Sequence, residues 1–235
     1  MDRGGHAVTT ASRTVVVTGA SSGIGAATVH ALLGGGWRVI GLSRRAPDIA
    51  NAAFEWLETD LGDFAALESR ARTIGDVDAI VHAAGLQFAA PLGGLNVEDG
   101  LQMWRIHVGA AEVLVNALAP HLQDGGRVVL VGSRTMTGNA GKSQYAATKS
   151  ALAGMARSWA LELVGRGITV NVVAPGPTDT PMLADPARQS TPPKLPPLGR
   201  FIAPEEVAAL ITFLLGPGGR SITGQVLVQC AGASL

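Results

Sequence analysis

Tyr145 and Lys149 stand four residues apart in an Ala-rich run, from Gln144 to about Gly165, that reads as helix. Residues at this spacing lie one turn apart on a shared face. A phenol is a poor acid at neutral pH, with an ordinary pKa of about 10. An ammonium held beside it favours the phenolate and draws that value toward the working range. Ser133, upstream, offers a hydroxyl that can hold a carbonyl oxygen next to the phenol. Such a trio would donate a proton to a developing alkoxide. A Tyr and a Lys four apart more often serve packing and solvation, so the surrounding elements carry the decision.

Those elements alternate. Thr14-Val15-Val16-Val17-Thr18 is a β-branched run of the kind buried on both faces of a sheet. It feeds Gly19-Ala20-Ser21-Ser22-Gly23-Ile24-Gly25, then a helical stretch from Ala26 to Leu33 closed by three glycines, then a strand from Arg38 to Leu42. Strand, Gly-rich turn, helix and strand make a βαβ unit. Its glycines leave no Cβ between peptide N–H groups and a ligand, and the helix N-terminus presents open donors to a phosphate.

Ser43-Arg44-Arg45 follows the second strand, with no acid there to accept from a ribose hydroxyl. Donors and positive charge at this point suit the 2′-phosphate of NADP, although two solvated arginines would look the same.

Phe54 to Thr59 reads as a third strand ending at Asp60-Leu61, where Asp60 meets an adenine amino group or caps the helix beginning near Asp63. Further strands are expected at Ala79–His82, Arg127–Gly132, Ile168–Val173 and Val226–Gln229. Helices are expected from Val97 to about Leu118 and from Pro204 to Leu215, the latter with Pro at its first turn and Glu205-Glu206 at its positive end. After the fourth strand, Ala83, Ala84 and Gly85 are small enough for backbone to lie against a cofactor. His82 reads as a core residue rather than a ligand. The pattern predicts an α/β chain, a doubly wound parallel sheet of about seven strands with helices on both faces. Ser133, Tyr145, Lys149 and the Gly-rich turn all fall at its carboxyl edge, where ligands collect in such sheets.

Composition narrows the function classes. The 235 residues suit a single domain, residues 14–235, behind a flexible tail at residues 1–13. Eighteen basic and eighteen acidic residues are dispersed, which argues against nucleic acid or an anionic membrane as partner. Cys230 is the single cysteine, read as a small buried near-apolar group, so no internal disulfide forms and a reducing, cytoplasmic setting is expected. No apolar run reaches membrane-spanning length and the N-terminus carries no secretory pattern. Leu183 to Arg200, with five prolines, is expected to form a mobile flap.

The chain resembles the short-chain dehydrogenase/reductase family, in its classical subgroup, from about Thr14 to Leu227. The family's T-G-x-x-x-G-x-G is Thr18 to Gly25, its Y-x-x-x-K is Tyr145 and Lys149, its upstream serine is Ser133, and its P-G after the sixth strand is Pro175-Gly176. The resemblance implies a Rossmann-type catalytic domain that binds NADP(H), or NAD(H) less readily, and passes a hydride between nicotinamide and a carbonyl or alcohol carbon without a metal. It gives Tyr145 the proton, Ser133 the substrate oxygen, and Lys149 the nicotinamide ribose and the phenol's acidity. Gly19, Ser21, Ser22, Gly23, Ile24 and Gly25 would hold the diphosphate. Ser43, Arg44, Asp60 and Leu61 would line the adenosine end, and Ala83, Gly85, Pro175, Gly176, Thr178 and Thr180 the nicotinamide end. Many relatives are tetramers paired through the helices that here span about 97–118 and 144–165, so a homotetramer or dimer is implied.

Three departures accompany the match. His107 replaces an Asn that supports a water in a proton relay behind the lysine; a retained relay with an added pH dependence is expected, against a merely packed or weakened position. Ser133 precedes Tyr145 by twelve residues, one fewer than is common, with Thr135 as a minor rival. His82-Ala83-Ala84-Gly85 stands for N-N-A-G, removing a polar support side chain, and Cys230-Ala231-Gly232 stands for D-G-G, altering subunit packing. Two other readings remain: a cofactor-binding regulatory or scaffold protein whose chemistry has decayed, and a non-redox lyase resembling the halohydrin dehalogenases, for which the intact Gly-rich turn would be superfluous.

Overall fold

The β-branched run from Thr14 to Thr18 is an interior strand of the sheet, third of seven. A computed structural model describes residues 12–184 and 192–235. Seven strands, β1 (Thr14–Thr18), β2 (Arg38–Ser43), β3 (Phe54–Glu58), β4 (Val77–His82), β5 (Leu122–Val131), β6 (Thr169–Pro175) and β7 (Val226–Gln229), pair in parallel in the order β3-β2-β1-β4-β5-β6-β7. The order reverses between β1 and β4, so the crevice at the head of β1 is the topological switch point.

Helices α1 (Gly23–Gly34) and α6 (Pro204–Leu215) cover one face; α2 (Phe64–Arg72), α4 (Ala110–Leu118) and α5 (Ser143–Leu163) cover the other. The period-two rule of strands divides the core accordingly. Val15 and Val17 pack toward α1 and α6, while Val16 packs among Leu67, Leu114 and Leu152 of the opposite layer. All three valines are fully buried. Residues Ala46 to Ala53 form no helix, and no described helix is long and apolar enough to cross a membrane.

Two expected elements change shape. Rather than one helix from Val97 to Leu118, the chain runs through α3 (Val97–Trp104), a π-turn (Arg105–Gly109) and α4. Gly109 suits the wider turn because the Phe64 ring lies 2.3 Å from where a Cβ would sit. Strand β5 starts at Leu122, five residues before Arg127, pairing with Val77 through an irregularity before the regular register resumes.

The expected tail lies outside the described residues as far as 11. Its last two residues are anchored: Ser12 Oγ donates to Gly36 O at 3.0 Å and Arg13 stacks over Trp37 at 4.1 Å. The expected flap is likewise described only to 184 and from 192; Leu198 N–H is held by Ala231 O and Arg200 by Glu206. Cys230 is half-buried rather than buried.

Candidate active site

The site begins where β1 ends. Thr18 is fully buried, and its Oγ1 accepts from the N–H groups of Ala83 and Ala84 at 3.1 Å each. Its own proton goes to Nδ1 of His82, 3.0 Å away. His82 Nε2–H in turn donates to Ile106 O, a carbonyl within the π-turn, at 3.1 Å. The imidazole of His82 thus spans the distance from β1 to the π-turn, while Ala83, standing where the N-N-A-G pattern has its second Asn, contributes only its backbone N–H to Thr18 Oγ1. Burial, and then the charge of Lys149, push the His82 pKa down to about 3, so the ring is neutral.

The turn after Thr18 is built for close approach. Gly19 and Gly23 have φ of 70° and 54°, the left-handed region that favours glycine. A Cβ on Gly25 would lie 2.1 Å from Gly19 O. Ser22, at the head of α1, makes no side-chain cap, which leaves the first-turn N–H groups for another acceptor. A bare cradle of this kind, with open donors at a helix N-terminus, fits a dinucleotide diphosphate.

Ser133 follows β5 in extended conformation and opens a 3₁₀ turn, Arg134–Thr137, absent from the sequence reading. Its Oγ lies 2.8 Å from Thr135 Oγ1 and accepts Thr135 N–H at 3.2 Å, so the two hydroxyls form one unit rather than competing for the role. Helix α5 carries Tyr145 and Lys149, 7% and 3% exposed. Lys149 Nζ donates to Val131 O at 2.8 Å and lies 6.0 Å from the Tyr145 ring centroid. Burial lowers the ammonium pKa from 10.5 to about 7.

His107 lies behind this pair, its ring edge-on to Tyr145 at 5.5 Å between centroids. Leu86 N–H donates to Nε2 at 3.1 Å, which leaves the ring proton on Nδ1. Nδ1–H then donates to Thr148 Oγ1 at 2.9 Å, and that hydroxyl donates to Tyr145 O at 2.9 Å. Every polar atom of the imidazole is engaged. Burial, then Lys149 and His82, hold its pKa well below 6.5. Desolvation between two other basic groups favours the neutral ring, which argues against the added pH dependence expected of His107. Replacing His107 by Asn is expected to leave the shape of the pH–rate profile between about pH 6 and 8 unchanged; loss of an inflection in that range would reinstate a titrating histidine.

A cleft of about 670 Å³ brings together Ser133, Tyr145, Lys149, Ile24, Ala83, Gly85, Pro175, Gly176, Thr178 and Thr180. Thr178 is set by its bond to Gly176 O and by the bridge between Thr178 and Ile202 that closes the loop after β6.

Other expected residues lie away from that cleft. The Ser43 hydroxyl donates to Arg45 O at 2.7 Å and accepts Trp56 Nε1–H at 3.1 Å, so its proton is already committed, while Arg44 is exposed. Asp60 accepts Gly62 N–H at 2.9 Å and does not cap α2, a task that Asp63 performs. Leu61 packs into the core. The sequence reading passed over Gln87, Arg134, Lys142 and Lys194, all on the cleft wall. Adjacency to Ser133 and a three-residue offset from Tyr145 were the available signals for Arg134 and Lys142.

Comparisons with known proteins agree with this geometry. Residues 19–234 match a family model described as enoyl-(acyl carrier protein) reductase. The chain is 33% identical over 231 residues to a 3-oxoacyl-(acyl-carrier-protein) reductase, FabG, of Thermotoga maritima, covering 90% of this chain and 94% of the other. It is 37% identical over 238 residues to carbonyl reductase family member 4 of Danio rerio, covering 95% and 99%. A blue fluorescent protein from a metagenomic library, solved in complex with NADPH, superimposes with a TM-score of 0.86 at 34% identity, over 95% of this chain and 98% of that one.

Proposed function

This chain belongs to the short-chain dehydrogenase/reductase family, NAD(P)-dependent oxidoreductases acting between C=O and CH–OH, and from that premise we propose an NADPH-preferring carbonyl reductase with Tyr145 as its general acid. The observation that carries the reading is that Ser133, Tyr145 and Lys149 line one cleft at the carboxyl edge of the sheet, beside the open N-terminus of α1.

When bound, the nicotinamide supplies the hydride. The protein's own groups manage the oxygen. Ser133 donates to it, with Thr135 fixing the Ser133 hydroxyl through the 2.8 Å contact between their oxygens. Tyr145 gives the proton as negative charge develops, and takes it back in the reverse direction. Lys149, anchored on Val131 O, holds the nicotinamide ribose and favours the phenolate whenever it is charged. His107 acts through Thr148 by fixing the backbone of Tyr145, a positioning role that keeps α5 and the π-turn in register. The diphosphate falls to Gly19, Ser21, Ser22, Gly23, Ile24 and Gly25.

NADP over NAD is supported by the exposed Arg44 after β2 and by the absence of an acid at that strand end. The guanidinium carries the preference, because the Ser43 proton is spent on Arg45 O. Arg44→Glu is expected to lower the NADPH-to-NADH ratio of kcat/KM by about 10- to 100-fold through a lost charge-assisted pair and a new repulsion. Measuring both cofactors in wild type and variant checks it; an unmoved ratio would remove Arg44 from the 2′-phosphate site.

Assembly into a homo-oligomer is supported by apolar side chains left exposed on the same helices that pair in relatives. Val97, Leu101 and Trp104 stand out from α3, and Leu161 from the far end of α5. The cytoplasmic setting remains part of this proposal, resting on the lone Cys230.

A further inference from the structure

One buried side chain on the cleft wall has no task in the scheme above. Gln87 is 8% exposed and lines the cleft with Ser133 and Tyr145, yet its amide nitrogen has no hydrogen-bond partner. A primary amide carries two donor hydrogens and an acceptor oxygen, and burying it unpaired costs stability. Other buried polar groups of the wall are engaged: Ser133 with Thr135, Lys149 on Val131 O, Thr178 on Gly176 O. Among the described residues, Arg127 Nε and Gln229 Oε1 are also buried without a partner. Both lie outside the cleft and belong to side chains anchored through another atom, Arg127 on Gly126 O and Gln229 on Glu206 O.

The backbone around Gln87 is held from both sides. Leu86 N–H donates to His107, the ring packed edge-on against Tyr145, and Phe88 N–H lies 3.5 Å from Met103 Sδ. The side chain is thus fixed at its root, while its amide nitrogen is left without a bond. A half-turn about the terminal torsion, which is broad and roughly two-fold, exchanges oxygen and nitrogen. Either a donor or an acceptor can therefore be offered to the cleft. A substrate bearing only its carbonyl would use Ser133 and Tyr145 and leave the amide unpaired. Met or Leu would then fill the position at lower cost.

We propose, resting on the carbonyl-reductase reading above, that Gln87 is a specificity-determining residue and that the substrate carries a second uncharged oxygen, a hydroxyl or a carbonyl, a few carbons from the one that reacts. Ser133 and Tyr145 take the reacting oxygen, and Gln87 takes the second. A site that pairs such a group discriminates against the analogue lacking it, because its own polar group is then left unpaired. An amide suits an uncharged oxygen, since it brings no charge to offset the desolvation of a carboxylate.

The test uses methyl ketones with a hydroxyl one, two or three carbons from the carbonyl, each paired with the ketone in which methyl replaces that hydroxyl. Diketones of the same spacings form a further arm. Turnover is followed by NADPH absorbance in wild type, Gln87→Met and Gln87→Leu. The ratio of kcat/KM within each pair is compared between proteins, which cancels the intrinsic reactivity of each ketone. Gln87→Met is expected to lower that ratio by about tenfold at one spacing, for the hydroxyketone or the diketone, and the arm that falls names the second oxygen. The variant is also expected to melt no lower than wild type, since it removes an unpaired buried amide. If Gln87→Met fails to fold, Gln87→Leu carries the measurement. A ratio unchanged at every spacing overturns the proposal and leaves the reductase reading intact. So does an equal fall for both members of each pair with a lower melting temperature, the mark of an amide that supports the fold. A loss of NADPH affinity in place of a fall in the ratio would give the amide to the cofactor and overturns it as well. Turnover of no ketone by wild type also overturns it, and failure to bind NADPH at all would take the reductase reading down with it.

Discussion

Tyr145→Phe is expected to lower kcat for carbonyl reduction by about a thousandfold, within the range that a positioned general acid contributes, while NADPH affinity changes by less than about threefold. The substitution removes one oxygen and keeps the ring. That ring is 7% exposed and packs edge-on against His107 at 5.5 Å, contacts that phenylalanine reproduces. Loss of turnover with retained affinity, the latter read by NADPH fluorescence titration, would separate proton transfer from binding. A scaffold with decayed chemistry would give no turnover in either protein. Substantial turnover in Tyr145→Phe would move the proton source elsewhere in the cleft.

The second large effect couples catalysis to stability. Lys149→Met should reduce kcat/KM by about a hundredfold or more, because both the ribose contact and the charge that favours the phenolate are removed. The same change should stabilise the cofactor-free protein at pH 7. Burial sets the Lys149 pKa at about 7 in the folded chain against 10.5 for the ordinary side chain. Between those two values the unfolded chain holds a proton that the folded chain does not, so wild-type stability rises with pH across that window. At pH 7 nearly the whole penalty is in force. It is an order-of-magnitude figure of several kcal/mol at about 1.4 kcal/mol per unit, less about 1–3 kcal/mol for leaving Val131 O without its donor.

Lys149→Met should therefore melt at a higher temperature than wild type near pH 7, with the difference shrinking as the pH approaches about 10. Paired thermal melts across that range isolate the lysine, since all other groups are shared. A wild type that is the more stable at pH 7, with a difference independent of pH, would show that the buried ammonium carries no desolvation penalty. The expected pattern is an active site held at a cost to stability, which is common where function needs a buried charge.

Much of the fold could be read from consecutive residues. The three valines after Thr14 announced a strand buried on both sides, and the structure divides them between two cores. Pro204 and Glu205-Glu206 marked the start of α6, and Val226–Gln229 marked β7, with the bounds later observed. The Gly-rich turn was legible because its reason is local: glycine is required where φ is positive and where a Cβ would strike backbone. The Tyr145–Lys149 pair was legible for the same kind of reason, the repeat of a helix.

What escaped the reading was set by neighbours distant in sequence. A helix interrupted at Arg105–Gly109 has no signature in its own propensities; the turn is held by His82 from β4, which takes Ile106 O, and by His107, which bridges Leu86 and Thr148. Read alone, His107 was an imidazole free to titrate near neutrality, and Ser43 a donor free for a phosphate. The fold gave each hydrogen of those side chains another acceptor before any ligand arrives. Arg134, Lys142 and Lys194 likewise share one cleft only because segments separate in sequence converge on it. Periodicity, the glycines of the tight turn and the order of the elements are properties of adjacent residues and were determined by the sequence directly. Protonation, donor availability and the lining of a cleft depend on atoms brought within a few ångströms from remote parts of the chain, and those only the tertiary structure decided.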